Sequence, residues 1–316
     1  MRIVVLGAGG RYKTESAIAR AARSLGHQCR HIDIVWWHRR LGRAASSVIG
    51  RWAEAFDPQF VILTRHAILA RDQTVRLLTA SRPSAFWYFD ALPNPDVLRL
   101  GRLVGTMYIT NLAQIDDYRA AGVPVVRFLP QGVDPAHDRP AARVPRRYRC
   151  DASFIGSGQY PHRHDVLRAI AAVCNLQIRG PGWKGASQDL PVAGGRVRGV
   201  RFAQAVRGAA ISLGASAVAG QDQDRASASN RMWKVLGCGG FFLGAYGEGI
   251  EALAKDRRHC VWYRDVPHAV ALVREYLAAP EERARIAAEG RAHALANHTY
   301  AHRLEMLLDG RAYPLP

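Results

Sequence analysis

Two short stretches of the chain carry residue types suited to holding an anion. The first is FIGSGQYPHRHDVL, where Gly156, Ser157 and Gly158 follow an apolar run and Arg163 stands at the start of a helical pattern. Exposed backbone amides at a helix N-terminus bind phosphate, and an arginine adds a two-pronged contact. The second is SASNRMWKVLGCGG, in which Ser229 and Asn230 are capping residues ahead of Arg231 and Lys234. A spacing of three puts Arg231 and Lys234 on one helix face, where they could hold a diphosphate.

A second set lies in the first half of the chain, after its short apolar runs. MRIVVLGAGGRYK places Gly7, Gly9, Gly10, Arg11, Tyr12 and Lys13 after the first run. Trp36, Trp37, His38, Arg39, Arg40 and Arg43 follow the second, and Arg65, His66 and Arg71 the third. Asp90 and the turn ALPNP follow the fourth, and Asn111 the fifth. Loops after strand C-termini form the binding crevice of an open parallel sheet. Arginine and aromatic side chains are therefore expected along one sheet edge, a combination suited to a phosphate backbone and stacked bases.

Other chemistries fit poorly. GAGG is not a dinucleotide fingerprint, because Tyr12 occupies the third glycine position. No GxSxG and no P-loop occurs. His162 and His164 are two apart and lack a partner cluster for zinc. Asp222-Gln223-Asp224 has the form of a metal clamp but sits in a polar loop, so no metal site is assigned.

The elements that must position these residues alternate. Expected strands include Arg2–Leu6, His31–Val35, Phe60–Leu63, Ala85–Phe89, Val104–Ile109 and Val125–Phe128, with helices such as Thr14–Leu25 and Arg43–Phe56 between them. Continuous apolar strands such as IVVL and FVIL suit sheets buried on both faces. A Pro- and Arg-rich stretch then interrupts the pattern. It reads as a linker over 133–148, dividing a first domain (1–132) from a second (149–296). The second series includes Asp151–Ile155, Ala210–Leu213, Gly240–Leu243 and Cys260–Tyr263 as strands, and a helix at 297–316 is expected to return to the first domain. The fold class is α/β, with two similar halves facing each other across a cleft.

Composition narrows the partners. The chain of 316 residues has 44 Lys+Arg against 26 Asp+Glu, a net charge of +18. The excess is shared evenly by the two halves, so it is not a basic tail. It points to a polyanionic partner: nucleic acid, an anionic membrane surface or an acidic polymer. Five cysteines without a CxxC and without a secretory leader suit a cytoplasmic protein, and no apolar run is long enough to span a membrane.

The second half resembles the spore-maturation (CgeB-type) glycosyltransferase-like family, a branch of the GT-B glycosyltransferases. The stretches that carry the resemblance are LPQGVDP, FIGSGQYPHRHDVL, SNRMWKVLGCGGFFLGAYGEGIEAL, HCVWYRDVPHAVALVREYLAAPEERARIAAEG and HTYAHRL. Together they span most of 129–304, and FWYFDALP is similar to a first-half segment of the family. The resemblance implies two Rossmann-like domains, with a nucleotide diphosphate sugar as co-substrate on the second domain and UDP-sugar favoured. No other cofactor and no metal is implied. Gly156, Ser157, Arg163, Asn230 and Arg231 would lie at the donor. Relatives hold the ribose with a Glu near the CGG helix, where Lys234 stands here, so Glu248 or Glu251 would supply that contact. In such a reaction Asp90 is the first candidate for the base and His66 the second. Gly9, Gly10, Arg11, Tyr12, Lys13, Trp36, Trp37, Arg39, Arg40, Arg65 and Arg71 would face the acceptor. The leading acceptor is DNA with hydroxymethylated bases, flipped out for reaction. The alternatives are a surface polysaccharide, spore-coat or protein acceptor, or a protein that binds the donor without turnover.

Overall fold

The computed structural model describes residues 1–90, 94–183, 189–215 and 226–314. They form two compact units, Met1–Gln131 with Tyr300–Pro314, and Gly132–Thr299.

In the first unit the strands are β1 (Arg2–Gly7), β2 (Gln28–Asp33), β3 (Phe60–Thr64), β4 (Ser84–Tyr88), β5 (Thr106–Ile109) and β6 (Val126–Phe128). The helices are α1 (Thr14–Ser24), α2 (Ile34–Leu41), α3 (Ala45–Glu54), α4 (Asp72–Thr79), α5 (Pro95–Gly101) and α6 (Ile115–Ala120). All strand pairs are parallel, in the order β2-β1-β3-β4-β5-β6. Alternate residues of the apolar strands point to opposite faces. Val4, Leu6, Val61 and Leu63 pack on one side, and Ile3, Val5 and Ile62 on the other. The second face is closed by α1 and by the last helix of the chain, Tyr300–Leu308. Arg303 fixes that last helix: its fully buried guanidinium donates to the Pro130 carbonyl at 3.0 Å and lies 4.8 Å from the Tyr313 ring.

In the second unit the strands are β7 (Cys150–Ile155), β8 (Leu176–Arg179), β9 (Val192–Gly194), β10 (Ala209–Leu213), β11 (Phe242–Ala245) and β12 (Val261–Tyr263). The helices are α7 (His162–Ala171), α8 (Val200–Gly208), α9 (Asn230–Gly237), α10 (Val266–Ala278) and α11 (Pro280–Asn297), and the returning helix becomes α12. The sheet is again parallel, in the order β12-β11-β10-β7-β8-β9.

Both strand orders reverse once, at β1/β3 in the first unit and at β7/β10 in the second. At such a switch point the connections leave in opposite directions and open a crevice at the strand C-termini.

Two expectations need correction. The second strand is not His31–Val35; it ends at Asp33, and α2 begins at Ile34. The Asp33 carboxylate accepts from the Trp36 amide at 3.1 Å, an N-cap that starts a helix where the apolar run IDIVWW reads as strand. Trp36, Trp37, Arg39 and Arg40 therefore lie on a helix and not in a loop. Residues 133–148 also group with the second unit. Asp134 and Asp138 are buried, and the Val133 amide donates to His298 O at 2.8 Å. Among the described residues no helix is long and apolar enough to cross a membrane.

Candidate active site

The second unit gathers its cations at the β7/β10 switch point. β7 runs out into Gly156, whose amide donates to Arg179 O at 2.9 Å. Its carbonyl accepts from the Trp183 indole at 2.9 Å. A Cβ on Gly156 would lie 2.3 Å from Arg231 Nη2 and 2.7 Å from the Phe154 ring. The glycine is thus required by the arginine beside it, not by backbone torsion.

Two guanidiniums share the Phe154 ring. Arg231, on the first turn of α9, sits 4.4 Å from the ring centroid and donates through Nε to Ile155 O at 2.5 Å. Arg163, on the first turn of α7, sits 5.9 Å from it and donates to Ser157 O at 3.1 Å. Tyr160 covers Arg163 at 4.4 Å. Arg163 is buried, and Arg231 Nη1 is shielded from solvent with no hydrogen-bond partner among the described residues. Burial, reinforced by the Arg163 cation, pulls the Arg231 guanidinium down to about 9. Burial likewise lowers Arg163. Both stay charged at neutral pH. Two like charges with an unused donor, turned toward a strand end, favour an anion between them.

The other expected donor residues separate. Asn230 opens α9 directly beside Arg231. Lys234, one turn on, is instead turned to Asp138, with Nζ 3.4 Å from its carboxylate. Burial raises the Asp138 carboxyl, and the Lys234 cation opposes that rise. Glu248 and Glu251 are exposed, after β11. Asp222 and Asp224 lie outside the described residues.

In the first unit the β1/β3 switch point holds a carboxylate that sequence reading missed. Glu15, on the first turn of α1, is buried. Its Oε1 accepts from the Ala8 amide at 3.2 Å and the Thr64 hydroxyl at 3.1 Å. His66 Nδ1 lies 3.7 Å from the same oxygen. Burial pushes the Glu15 carboxyl up, but His66, Ala8 and Thr64 outweigh it and the net shift is downward. Glu15 is therefore an anion at neutral pH. Gly7 makes the arrangement fit, since a Cβ there would lie 2.1 Å from Thr64 Oγ1 and 2.6 Å from Glu15 Cγ. The signal was the acidic residue in the first helical turn after GAGG, which a helix dipole explains equally well.

Asp90 follows β4 and is bound to Arg65 at 2.7 Å. The Arg65 guanidinium thus occupies one side of Asp90, whereas among the described residues the charged group beside the His66 imidazole is the buried Glu15 carboxylate. Gly9, Gly10, Arg11, Tyr12 and Lys13 form the β1–α1 loop, with Gly9 against the Asp33 carboxylate. Arg71 stands apart at the start of α4, its amide on Ser46 Oγ at 3.1 Å.

Gly156→Ala tests the second-unit arrangement with the smallest change. The added methyl must push the Arg231 guanidinium off its seat. Loss of one charge-assisted hydrogen bond corresponds to roughly ten- to hundredfold weaker binding of a diphosphate ligand. Calorimetric titration with UDP measures it, with circular dichroism as a check on the fold.

Residues 163–309 match a family model described as glycosyl transferase-like. No curated protein matches the chain. Among solved structures, HepE of Anabaena in complex with UDP-glucose is similar, with TM-score 0.67 and 12% identity over 98% of this chain and 99% of that one. An alpha-glucosyltransferase in complex with UDP-glucose and DNA containing an abasic site has TM-score 0.72 and 10% identity, over 98% of both chains. Sucrose-phosphate synthase from Thermosynechococcus elongatus has TM-score 0.65 and 10% identity, also over 98% of both. The chain thus has the GT-B glycosyltransferase fold, and its second half carries the match to the glycosyl transferase-like family.

Proposed function

We propose that this chain is a metal-independent glycosyltransferase of the CgeB type, moving a sugar from a nucleotide diphosphate sugar, UDP-sugar favoured, to a hydroxyl. The observation that carries the reading is the Arg163–Arg231 pair on Phe154, with its unused donor at the β7/β10 switch point.

The chemistry follows from the two charged arrangements. As the bond from the anomeric carbon to the diphosphate breaks, the leaving group takes the electron pair. Arg163 and Arg231 stabilise that charge in a poorly hydrated site, where fixed cations act most strongly. The acceptor oxygen forms the new bond to the anomeric carbon and gives up its proton. His66 is the base: Nδ1 faces the Glu15 anion and carries the proton there, which leaves Nε2 to receive the acceptor's. Asp90 is the second candidate, and no cofactor beyond the sugar nucleotide enters.

Two acceptor classes follow from separate observations. The net charge of +18 supports a polyanion, with hydroxymethylated bases in DNA the first to test. Exposed Trp36 and Trp52 support a glycan or protein acceptor at an anionic membrane surface.

The test is a transfer assay with labelled UDP-glucose and a small panel of sugar nucleotides. Acceptors are plain DNA, hydroxymethylcytosine DNA and hydroxymethyluracil DNA, each at two salt concentrations with EDTA present. Label in modified DNA alone, falling at higher salt, is the result expected for a DNA acceptor. Donor hydrolysis without label in DNA moves the acceptor to the glycan or protein class. Donor binding with neither transfer nor hydrolysis on any acceptor would overturn the enzymatic reading.

A further inference from the structure

We infer that the α2–α4 face of the first unit docks on an anionic lipid surface. This deepens the membrane-surface acceptor reading that Trp36 and Trp52 support, and it stands on different residues from the Arg163–Arg231 pair and His66. Four large apolar side chains on these helices are exposed: Trp36 (44%), Leu41 (41%), Trp52 (43%) and Leu77 (48%). Ring contacts run from Trp36 through Trp37, at 4.9 Å, to Trp52, at 6.2 Å. Leu77 lies against Gly50 on α3, 3.3 Å from where its Cβ would be. The linked indoles, with Leu41 and Leu77 exposed on the same three helices, are apolar surface of the kind that takes a partner.

The charge around it selects the partner. Residues 34–53 contain four arginines and no acid. Arg39, Arg43 and Arg51 are exposed and have no ion-pair partner among the described residues. The flanking acids are engaged: Asp33 caps α2, Glu54 is held by Arg82, and Asp72 by Arg99. The face is therefore apolar and uniformly cationic.

Nucleic acid would use the cations and leave the leucines unexplained. It would also need open ring faces, but Arg40 already lies 4.2 Å over Trp36 and Arg30 lies 4.9 Å over Trp52. Indoles at headgroup depth, leucines below them and guanidiniums on lipid phosphates account for all of these residues.

The experiment is flotation of the full chain with phosphatidylcholine vesicles, with and without one third phosphatidylglycerol. The variants are Arg43→Ser/Arg51→Ser and Trp52→Ser/Leu77→Ser, both checked for unchanged melting and unchanged UDP binding. The expected result is binding to the anionic vesicles only. The arginine pair should weaken it about twenty-fivefold, at about fivefold for each cation near the surface. The Trp52/Leu77 pair should weaken it about tenfold or more at unchanged charge. Three results would overturn the inference: no flotation, flotation indifferent to the Trp52/Leu77 pair, or duplex DNA binding lost with the arginine pair while vesicles stay unbound.

Discussion

Arg231→Ala is expected to abolish measurable binding of UDP, a loss of about a hundredfold or more, because a two-pronged charged contact and its shielded site are removed together. Arg231 also supports the fold through Ile155 O and Phe154, so alanine alone would confuse two effects. Arg231→Lys separates them. It keeps the charge near the same place and gives up the planar fork. Its binding should fall about tenfold, with melting close to wild type.

Arg231→Met makes the sharper distinction. Burial and the Arg163 cation depress the Arg231 guanidinium to about 9, far below its unfolded value. For a cation that sign means the charged form opposes folding throughout the neutral range, and the opposition eases only as pH rises through about 9. An apolar side chain of similar length should therefore melt no lower than wild type without nucleotide, and higher if it packs on Phe154. The same variant should show no thermal shift with UDP. Lower melting together with retained UDP binding would mean that Arg231 is a structural residue.

His66→Ala is expected to lower kcat by about a hundred- to ten-thousandfold, the range for a lost general base. The KM for the sugar nucleotide should stay near wild type, because His66 belongs to the first unit and the proposed donor residues Arg163 and Arg231 to the second. Glu15→Gln should lower kcat by a smaller factor, about tenfold or more, since it removes the anion that orients the imidazole and leaves the imidazole itself. Asp90→Asn should change kcat little if His66 is the base. The reverse ranking, Asp90→Asn far worse than His66→Ala, would exchange their roles.

A pH dependence of stability accompanies Glu15. Its folded value lies below its unfolded one, so it contributes stability at and above the ordinary carboxylate range. That contribution is lost as pH falls through the folded value. Glu15→Gln should flatten the acid limb of a melting-versus-pH curve and leave the neutral region lower but level.

The alternation of short apolar runs made the parallel sheets legible, because strands buried on both faces need no polar residues to interrupt them. The places of Gly156, Arg163 and Arg231 in the fold were legible for a related reason: a small residue after a strand and an arginine at a helix start are local features. Lys234 shows where that logic stops. Spacing placed it beside Arg231, but its partner Asp138 is ninety-six residues away in sequence, in a stretch with no periodicity. Glu15 was hidden likewise, since its meaning depends on Thr64 and His66 arriving from the next strand. Trp36 is expected after a strand, and only the Asp33 cap turns it onto a helix; Trp52 falls inside the expected helix Arg43–Phe56, but its exposure is not legible in the sequence.

The acceptor question now divides along physical lines. A polyanion bound by charge alone responds to salt, whereas docking that buries Trp52 and Leu77 persists when salt screens the arginines. Salt titration of vesicle binding and of DNA binding on the same preparation compares the two directly.

The arginine pair on Phe154 is proposed to bind a diphosphate without a metal. Calorimetric titration of the full chain with UDP, UMP and uridine, in EDTA, tests it. UDP should bind at least about a hundredfold more tightly than uridine, with UMP between them, as each charged contact contributes a step of about tenfold or more. Equal affinity for UDP and uridine, or UDP binding that appears only when a divalent cation is added, would contradict it.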